Sequence, residues 1–242
     1  MSEYNPQSQS YASDASGLRT YVTKVFINMA IALGITAAVA FGCYFSFMSG
    51  GYVYQVMNSS AAGFIGIAMI IAEFGVVIAF SAGISKFSTT TVKILMFVYA
   101  AITGITFAFL PMAYGVDTVF EAFLFAAVLF VCCAVIGAYT KINLMKFSGL
   151  FTGALFAFVI MSVISMFVPA LRNGLVMGYI GLVLFLGLTA WDMQKIKAYY
   201  YQIGEGTIKE NFAIYSAFQL YLDFINVFLF ILRILGNGRS RD

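Results

Sequence analysis

The hydrophobic positions of this sequence form long runs that are separated by short polar breaks. No charged residue occurs from Val25 to Ala72, and this stretch is divided by Gly50-Gly51 and the polar cluster at 57–60. About 20 apolar residues suffice for one helical crossing of a bilayer. The pattern therefore predicts seven spans, at residues 25–48, 61–85, 94–113, 119–140, 147–168, 174–197 and 211–235.

These runs lack the ten-residue alternation of a membrane barrel, and helices satisfy their own backbone hydrogen bonds in lipid. The predicted fold class is therefore an all-α integral membrane protein with seven transmembrane helices and the seventh helix central in the bundle. We expect a polar cytoplasmic N-terminal tail at 1–20, a solvated arm rather than a signal peptide. The transmembrane domain follows at 21–236, and a short C-terminal tail at 237–242.

The distribution of basic residues predicts the orientation. The N-terminal tail, the second loop and the fourth loop each hold 2 Lys or Arg residues, and the sixth loop holds 3 when Lys195 and Lys197 at the end of the sixth span are counted with it. The first, third and fifth loops hold 0, 0 and 1. The positive-inside rule therefore predicts a cytoplasmic N-terminus. Seven crossings place the C-terminus outside, although Arg233, Arg239 and Arg241 lie there. A re-entrant last helix is the alternative.

Composition excludes several classes of function. The chain has 62% hydrophobic residues, no histidine and a net charge of only +3, without a basic cluster. Nucleic-acid binding, histidine-ligated metals and histidine-dependent nucleophiles are therefore not expected. Cys43, Cys132 and Cys133 lie inside apolar runs and are interpreted as core residues. We predict no enzymatic activity, no catalytic residue and no cofactor.

Three carboxylates lie inside predicted spans, namely Glu73, Asp192 and Asp223. A charge at the centre of a span costs about 2.5–3.5 kcal/mol on insertion scales, so each one requires a physical reason. Asp223 is the only charged residue between Asn211 and Leu232, which places it near the middle of the seventh span. Its depth indicates a functional or structural partner within the protein.

The seventh span carries a polar stripe. At 100° per residue one narrow arc contains Ser216, Gln219, Asp223, Asn226 and Arg233, while most of the apolar residues point elsewhere. A polar stripe of this length should face protein or water, which indicates that the helix lines a path. A purely structural network of buried hydrogen bonds is the alternative.

Asp192 lies toward the cytoplasmic end of the sixth span, beside interfacial residue types that include Trp191 and Lys195. It is either an interfacial aspartate or a partner of Asp223, because consecutive helices are antiparallel and bring these positions toward each other. Two carboxyl groups in a low dielectric do not both ionise cheaply, so such a pair shares a proton. The pair would be a pH-sensitive latch joined by a short hydrogen bond.

Adding or removing a proton would break that bond, and glycines at 204 and 206 would let the two helices move. Glu73 is either a neutral structural residue or a neighbour of Asp223 in the same cavity. In the second case the oxygen-lined path suits a hard cation such as calcium, permeant or weakly bound. The ion-path candidates are Glu73, Ser216, Gln219 and Asn226, and the weak calcium ligands would be Asp192, Asp223 and Glu73.

The most specific motif is Ala217–Gly236, which resembles the last helix of the Bax inhibitor-1 family, also called the transmembrane Bax inhibitor motif proteins. Three further stretches are similar to other parts of that family. Thr189–Lys197 resembles the end of its sixth helix, Gly137–Met145 the loop after its fourth helix and Val98–Thr106 its third helix. The resemblance covers nearly the whole chain after about residue 20.

The resemblance implies a seven-helix bundle around the last helix and a pH-sensitive calcium leak. The two-aspartate sensor of bacterial members maps by motif onto Asp192 and Asp223, and a second-helix glutamate maps onto Glu73. An arginine that interacts with the aspartate pair in a bacterial relative falls at Ile84 here, with Lys86 nearby. The sensor should therefore be tuned differently. The short polar termini favour a bacterial inner-membrane protein.

Three other functions compete with the leak. The resemblance also implies membrane-protein partners, including a membrane protease, so a non-conducting regulator is the main rival. An intramembrane aspartyl protease is disfavoured because Leu220-Tyr221-Leu222-Asp223 lacks the glycines of Gly-x-Gly-Asp. A proton-coupled transporter would use similar carboxylates and would show flux that depends on a second solute. The expected partners are otherwise the lipid bilayer, calcium ions and protons.

Overall fold

The computed structural model describes residues 6–168 and 174–239, and it is built from helices. Within these ranges, seven helices or helix pairs are long and apolar enough to cross a membrane, as predicted. The helices are α1 (Pro6–Met48), α2 (Tyr52–Met57), α3 (Ala62–Gly83), α4 (Thr89–Phe107), α5 (Leu110–Tyr114), α6 (Val116–Tyr139), α7 (Ser148–Phe167), α8 (Gly174–Gln202) and α9 (Thr207–Arg239).

The first helix is longer than its predicted span. It begins at Pro6 rather than near Val25 and continues through the segment that we expected to be a solvated arm. Proline is compatible with the first turn of a helix, and no further proline interrupts the run to Met48. The Tyr21 ring packs 5.6 Å from the ring of Tyr200 on α8. The helix therefore joins the bundle before the apolar run starts.

The third span is interrupted near its end. Pro111 lacks the amide hydrogen that would bond to the carbonyl group of Phe107, and α4 ends at Phe107. The short helix α5 then completes the predicted span to Tyr114. The predicted break between the fifth and sixth spans, at 169–173, and the last residues of the C-terminal tail, 240–242, lie outside the described residues.

The last helix is the centre of the bundle, as the polar stripe predicted. It packs against α1, α4, α6 and α8. In its most apolar window 61% of the residues are buried, whereas the corresponding values for α3 and α7 are 6% and 0%. The helix runs without interruption from Thr207 to Arg239, so the re-entrant alternative is wrong.

Two glycines have clear geometrical roles in this packing. At Gly137 on α6 a β-carbon would collide with the backbone of Ala190 on α8, so this glycine lets the two helices approach closely. Gly206, in the connection between α8 and α9, has a φ of 114°, which side chains other than glycine rarely adopt. The tight turn from α8 to α9 therefore depends on this residue.

One end of the bundle is tied together by polar contacts. Lys24 Nζ on α1 lies 2.6 Å from Glu210 Oε1 on α9. The Asn211 amide donates at 2.8 Å to the carbonyl oxygens of Ile84 and Phe87, in the connection between α3 and α4. We refer to this end, where α8 ends and α9 begins, as the basic end, because it carries Arg19, Lys24, Lys86, Lys93, Lys141, Lys146, Lys197 and Lys209.

Candidate functional site

The structure brings Asp192 of α8 and Asp223 of α9 together in the interior of the bundle. Each residue is only 6% exposed, and the charge of Asp192 acts on the Asp223 carboxyl group. Asp223 lies halfway along α9, between its ends at Thr207 and Arg239. Asp192 is therefore buried in the bundle, because the antiparallel packing of the two helices turns it inward, and its depth relative to the membrane interface stays a prediction.

A third charged group completes the site. Lys195 Nζ lies 2.9 Å from Asp192 Oδ1 and 4.3 Å above the ring centre of Trp191. Lys195 is 9% exposed, and its charge also acts on Asp223. We expected Lys195 at the membrane interface, and the structure shows in addition that its side chain is turned into the bundle. The spacing of three residues puts the ammonium group beside its carboxylate on one helix face, where burial is offset by the ion pair and the aromatic ring.

The carboxyl groups do not form the direct hydrogen bond that a proton-sharing latch was expected to have. Asp192 Oδ1 accepts from Lys195, whereas Asp223 Oδ2 is buried and has no hydrogen-bond partner. The site is therefore a triad of two carboxyl groups and one ammonium group, named below as the Asp192–Lys195–Asp223 triad. With both aspartates ionised its net charge is −1, and a single proton makes it neutral.

The predicted polar stripe of α9 is divided between different surroundings. Ser216 is buried, but Gln219 and Asn226 are only partly buried and Arg233 is exposed. The Asn226 amide donates at 2.8 Å to the carbonyl oxygen of Leu222 in its own helix. Among the described contacts, none joins Gln219 or Asn226 to the two aspartates. Ser216 is thus the stripe residue that shares the buried environment of Asp223.

Glu73 belongs to a second polar cluster. It is partly buried on α3 and lies beside Thr103 of α4, and its charge acts on Tyr99 and Tyr221. The Tyr221 hydroxyl is 2.8 Å from Thr36 Oγ1, which itself donates at 2.9 Å to the carbonyl oxygen of Ala100. Tyr221 therefore donates to Thr36 in this arrangement.

None of the contacts in the described part of the chain joins Asp223 to Glu73. The charged groups that act on Asp223 are Asp192 and Lys195 of α8, not Glu73. Among the described residues, no group of three or more Asp, Glu, Cys or His side chains is arranged to hold a metal ion. The predicted calcium ligands Asp192, Asp223 and Glu73 are therefore not assembled at one point, and any cation at the triad would meet two carboxyl groups and a competing ammonium group.

An apolar cavity of about 450 Å³ lies beyond Asp223, on the side away from the basic end. It is bordered by α1, α9, the start of α6 and the connection from α4 to α5, and it opens to the outside of the bundle, where Phe41 and Phe120 are exposed. The residues that line this cavity, between the triad and the end of the bundle opposite the basic end, are thus mainly apolar. The cavity is lined mainly by aromatic and aliphatic side chains: Leu33, Ala37, Ala40, Phe41, Tyr44, Phe107, Leu110, Pro111, Val116, Val119, Phe120, Phe123, Phe224, Ile225 and Phe228, with Thr36 as a polar member.

Sequence reasoning missed the burial of Lys195 and the participation of Tyr21. The first had a signal, since an acid and a base three residues apart share one helix face. The second had none in the hydropathy pattern. Tyr21 falls at the predicted boundary between tail and domain, and its position beside Ser216 depends on how α1 packs against α9.

The matched family model and the similar curated proteins agree on one family of membrane proteins. A family model described as inhibitor of apoptosis-promoting Bax1 matches residues 18–240. The inner membrane protein YbhL of Escherichia coli (strain K12) is 33% identical over 97% of this chain and 98% of its own length. The uncharacterized protein RP147 of Rickettsia prowazekii is also 33% identical, over 93% of this chain and 92% of its own length.

An uncharacterized protein of Borreliella burgdorferi is 32% identical over 91% of this chain and 93% of its own length. These similarities extend through all seven membrane-spanning segments, including the helices that carry the triad. Together with the matched family model they show that this multi-pass membrane protein belongs to the Bax inhibitor-1 family.

Proposed function

We propose that the protein is a pH-sensitive leak for calcium and related cations, gated by the Asp192–Lys195–Asp223 triad. The observation that carries the proposal is the burial of two facing carboxyl groups with a single ammonium group in the interior of the bundle. Buried ionisable groups inside membrane proteins commonly mark ion or proton paths. The family resemblance supports the same function.

The gating step is a change in the charge of the triad. Gain or loss of one proton changes its net charge by one, and two charges 4 Å apart interact by about 4 kcal/mol at an effective dielectric constant of 20. An energy of this size is enough to reverse an equilibrium between two packings of α8 and α9. The turn at Gly206, which joins these helices, would accommodate the movement.

The ion path would combine two different halves. On the side of the basic end the candidates are Ser216 and Gln219 of α9, with Asp223 as the deepest carboxylate, and Asn226 lies about one turn beyond Asp223. On the other side the apolar cavity would block ions by excluding water while the path is closed. Glu73 would act in a separate polar cluster, with a role in holding α3 against α4 rather than in binding the same ion as Asp223.

A non-conducting regulator of other membrane proteins is the second candidate function. The observation that favours it concerns α7, which has no buried residue in the described part of its apolar window. Its exposed face includes Phe156, Ile160 and Val163. A transmembrane helix of a partner, such as a membrane protease, would pack there.

We infer no proteolytic activity of the protein itself. An aspartyl protease needs two carboxyl groups that jointly hold a water molecule. Here the Asp192 carboxylate is engaged by Lys195 at 2.9 Å, which opposes that use of the pair. Cleavage of a membrane substrate that depended on Asp223 would contradict this inference.

We further propose a bacterial inner-membrane location with the basic end in the cytoplasm.

Calcium flux into proteoliposomes, measured across pH, tests the proposed function. The native chain should conduct with a pH-dependent rate, and Asp192→Asn and Asp223→Asn should each make the rate nearly independent of pH. Asp117→Asn is the matched control, because Asp117 lies in the first turn of α6 and apart from the triad. Absence of flux in the native protein, or an unchanged pH response in both variants, would favour the regulator.

A further inference from the structure

Several buried polar atoms on one side of α9 have no hydrogen-bond partner. Within the described residues these include Tyr21 OH of α1 and Ser216 Oγ and Asp223 Oδ2 of α9. Tyr21 is 6% exposed and Ser216 is 1% exposed. A buried polar group without a partner costs about 1–3 kcal/mol, so three such atoms in one region require an explanation.

The three atoms follow a line into the bundle. Tyr21 and Ser216 face each other across the α1–α9 contact, although their hydroxyl groups are not in hydrogen-bonding geometry. Ser216 and Asp223 are seven residues apart, which puts them on one helix face and about 10 Å apart along the axis. Water molecules that bridge these groups would satisfy the hydrogen-bonding capacity of all three atoms.

Other hydroxyl groups lie along the same line. Tyr199 of α8 and Tyr215 of α9 interact electrostatically with Asp192, and Tyr199 also interacts with Tyr21. The ring of Phe212 connects these two tyrosines, at 5.1 Å from Tyr199 and 6.2 Å from Tyr215. The hydroxyl groups thus continue the polar region from Asp192 toward the basic end.

The line reaches water at the basic end. Glu210 interacts with Tyr21, and its ion pair with Lys24 is about half exposed at both side chains. On the far side of Asp223 the next residues are Phe224 and Ile225, which line the apolar cavity. The polar and apolar surroundings therefore divide at Asp223.

We propose that a chain of water molecules, held by Tyr21, Ser216, Tyr199 and Tyr215, connects the basic end with Asp223 and carries protons to the triad. Buried water normally makes about three hydrogen bonds to polar groups that would otherwise be unsatisfied, and this region offers such groups. The inference rests on the proposed pH-sensing role of the triad and adds a direction to it. Protons reach Asp223 from the basic end and not from the opposite end.

The groups around Asp223 are consistent with this route. The charged side chains that act on it are Asp192 and Lys195 of α8. From α6, the neighbour of the adjacent Phe224 is the uncharged ring of Phe130, at 5.5 Å. Glu73 of α3 faces the other polar cluster. These neighbours are consistent with polar access to the triad on the α1 and α8 side.

Thiol accessibility tests the route without measuring calcium. In a background where Cys43, Cys132 and Cys133 are replaced by alanine, Ser216→Cys introduces a side chain of similar size. A membrane-impermeant thiosulfonate reagent should modify it at least tenfold faster from the basic end than from the opposite end. Val227→Cys, at a fully buried position beyond Asp223, is the control and should react slowly from either side.

Equal reaction from both ends, or a rate no greater than that of Val227→Cys, would overturn the proposal. A second measurement covers the case in which Ser216→Cys does not fold. After a pH jump at the basic end, the carboxylic-acid infrared band of Asp223, assigned with Asp223→Asn, should respond several-fold more slowly in Tyr21→Phe than in the native protein. Tyr99→Phe, in the other cluster, should leave the rate unchanged. An unaltered rate in Tyr21→Phe would contradict the route.

These measurements separate the two proposals. A native protein that conducts no calcium but labels from the basic end retains the water chain and loses the leak. A protein that conducts with a pH response but whose Ser216→Cys reacts equally from both ends retains the leak and loses the water chain.

Discussion

Lys195 Nζ and Asp192 Oδ1 lie 2.9 Å apart inside the bundle, one helical turn from each other on α8. This ion pair gives the aspartate site its own cation. Removing one partner of a buried pair leaves an uncompensated charge and costs about 3–5 kcal/mol. The lysine therefore balances charge at the triad.

Replacing Lys195 with methionine should move the midpoint of the pH response to higher pH. A nearby positive charge favours the ionised carboxyl groups, so its loss makes them hold protons more tightly, by roughly 1–3 pH units. The measurement is calcium flux or the carboxylic-acid infrared band across pH. Lys195→Arg keeps the charge and should shift the midpoint less. A midpoint that stays in place in Lys195→Met would show that the lysine does not act on the pair.

Glu73→Gln should leave the midpoint of the pH response unchanged. Glu73 acts on Tyr99 and Tyr221, whereas Asp223 is influenced by Asp192 and Lys195. The same pH titration, run beside Asp223→Asn, provides the comparison. If Glu73→Gln flattened the response as completely as Asp223→Asn, the two polar clusters would be one functional unit, contrary to the geometry.

Asn211→Ala should destabilise the fold by about 2–4 kcal/mol. The change removes two donated hydrogen bonds and one accepted hydrogen bond at a fully buried position. Each bond contributes about 1 kcal/mol, and the carbonyl groups left unpaired add a further cost. Those bonds join α9 to Ile84, Phe87 and Thr89. Unfolding in mixed detergent micelles gives the free energy. Asn28→Ala, at an exposed site bonded only to its own helix, should change it by less than about 0.5 kcal/mol.

Gly137→Val should separate α6 from α8. The new side chain would meet the Ala190 backbone, which cannot move aside as a flexible side chain would. Overpacking of this kind costs typically about 1–3 kcal/mol. The matched control is Gly149→Val on α7, where no atom lies within 4 Å of the added β-carbon. Equal stabilities of the two variants in a thermal unfolding assay would contradict the close helix contact.

The sequence predicted the spans well, because hydropathy depends on local composition. The span at 61–85 corresponds to Ala62–Gly83, and the span at 119–140 corresponds to Val116–Tyr139. The central position of α9 also followed from its polar stripe. The start of α1 at Pro6 did not, because a polar helix has no hydropathy signal.

The partners of individual side chains were harder to predict. Glu73 and Asp223 both lie near the middle of a span, yet they belong to different clusters. Depth is readable from the sequence, but the face that a helix turns toward each neighbour depends on packing across several helices. The burial of Lys195 was missed for a similar reason. The residue types around it are typical of a membrane interface, whereas its burial depends on how α8 packs against α9.

The helix that fills the centre of this bundle comes last in the order of the described helices. Until α9 arrives, α1, α4, α6 and α8 cannot form the contacts that they make with it. Without α9, the Lys195–Asp192 ion pair of α8 would lie beside a bundle that lacks its central helix. A chain without α9 would lack its interior rather than a peripheral helix.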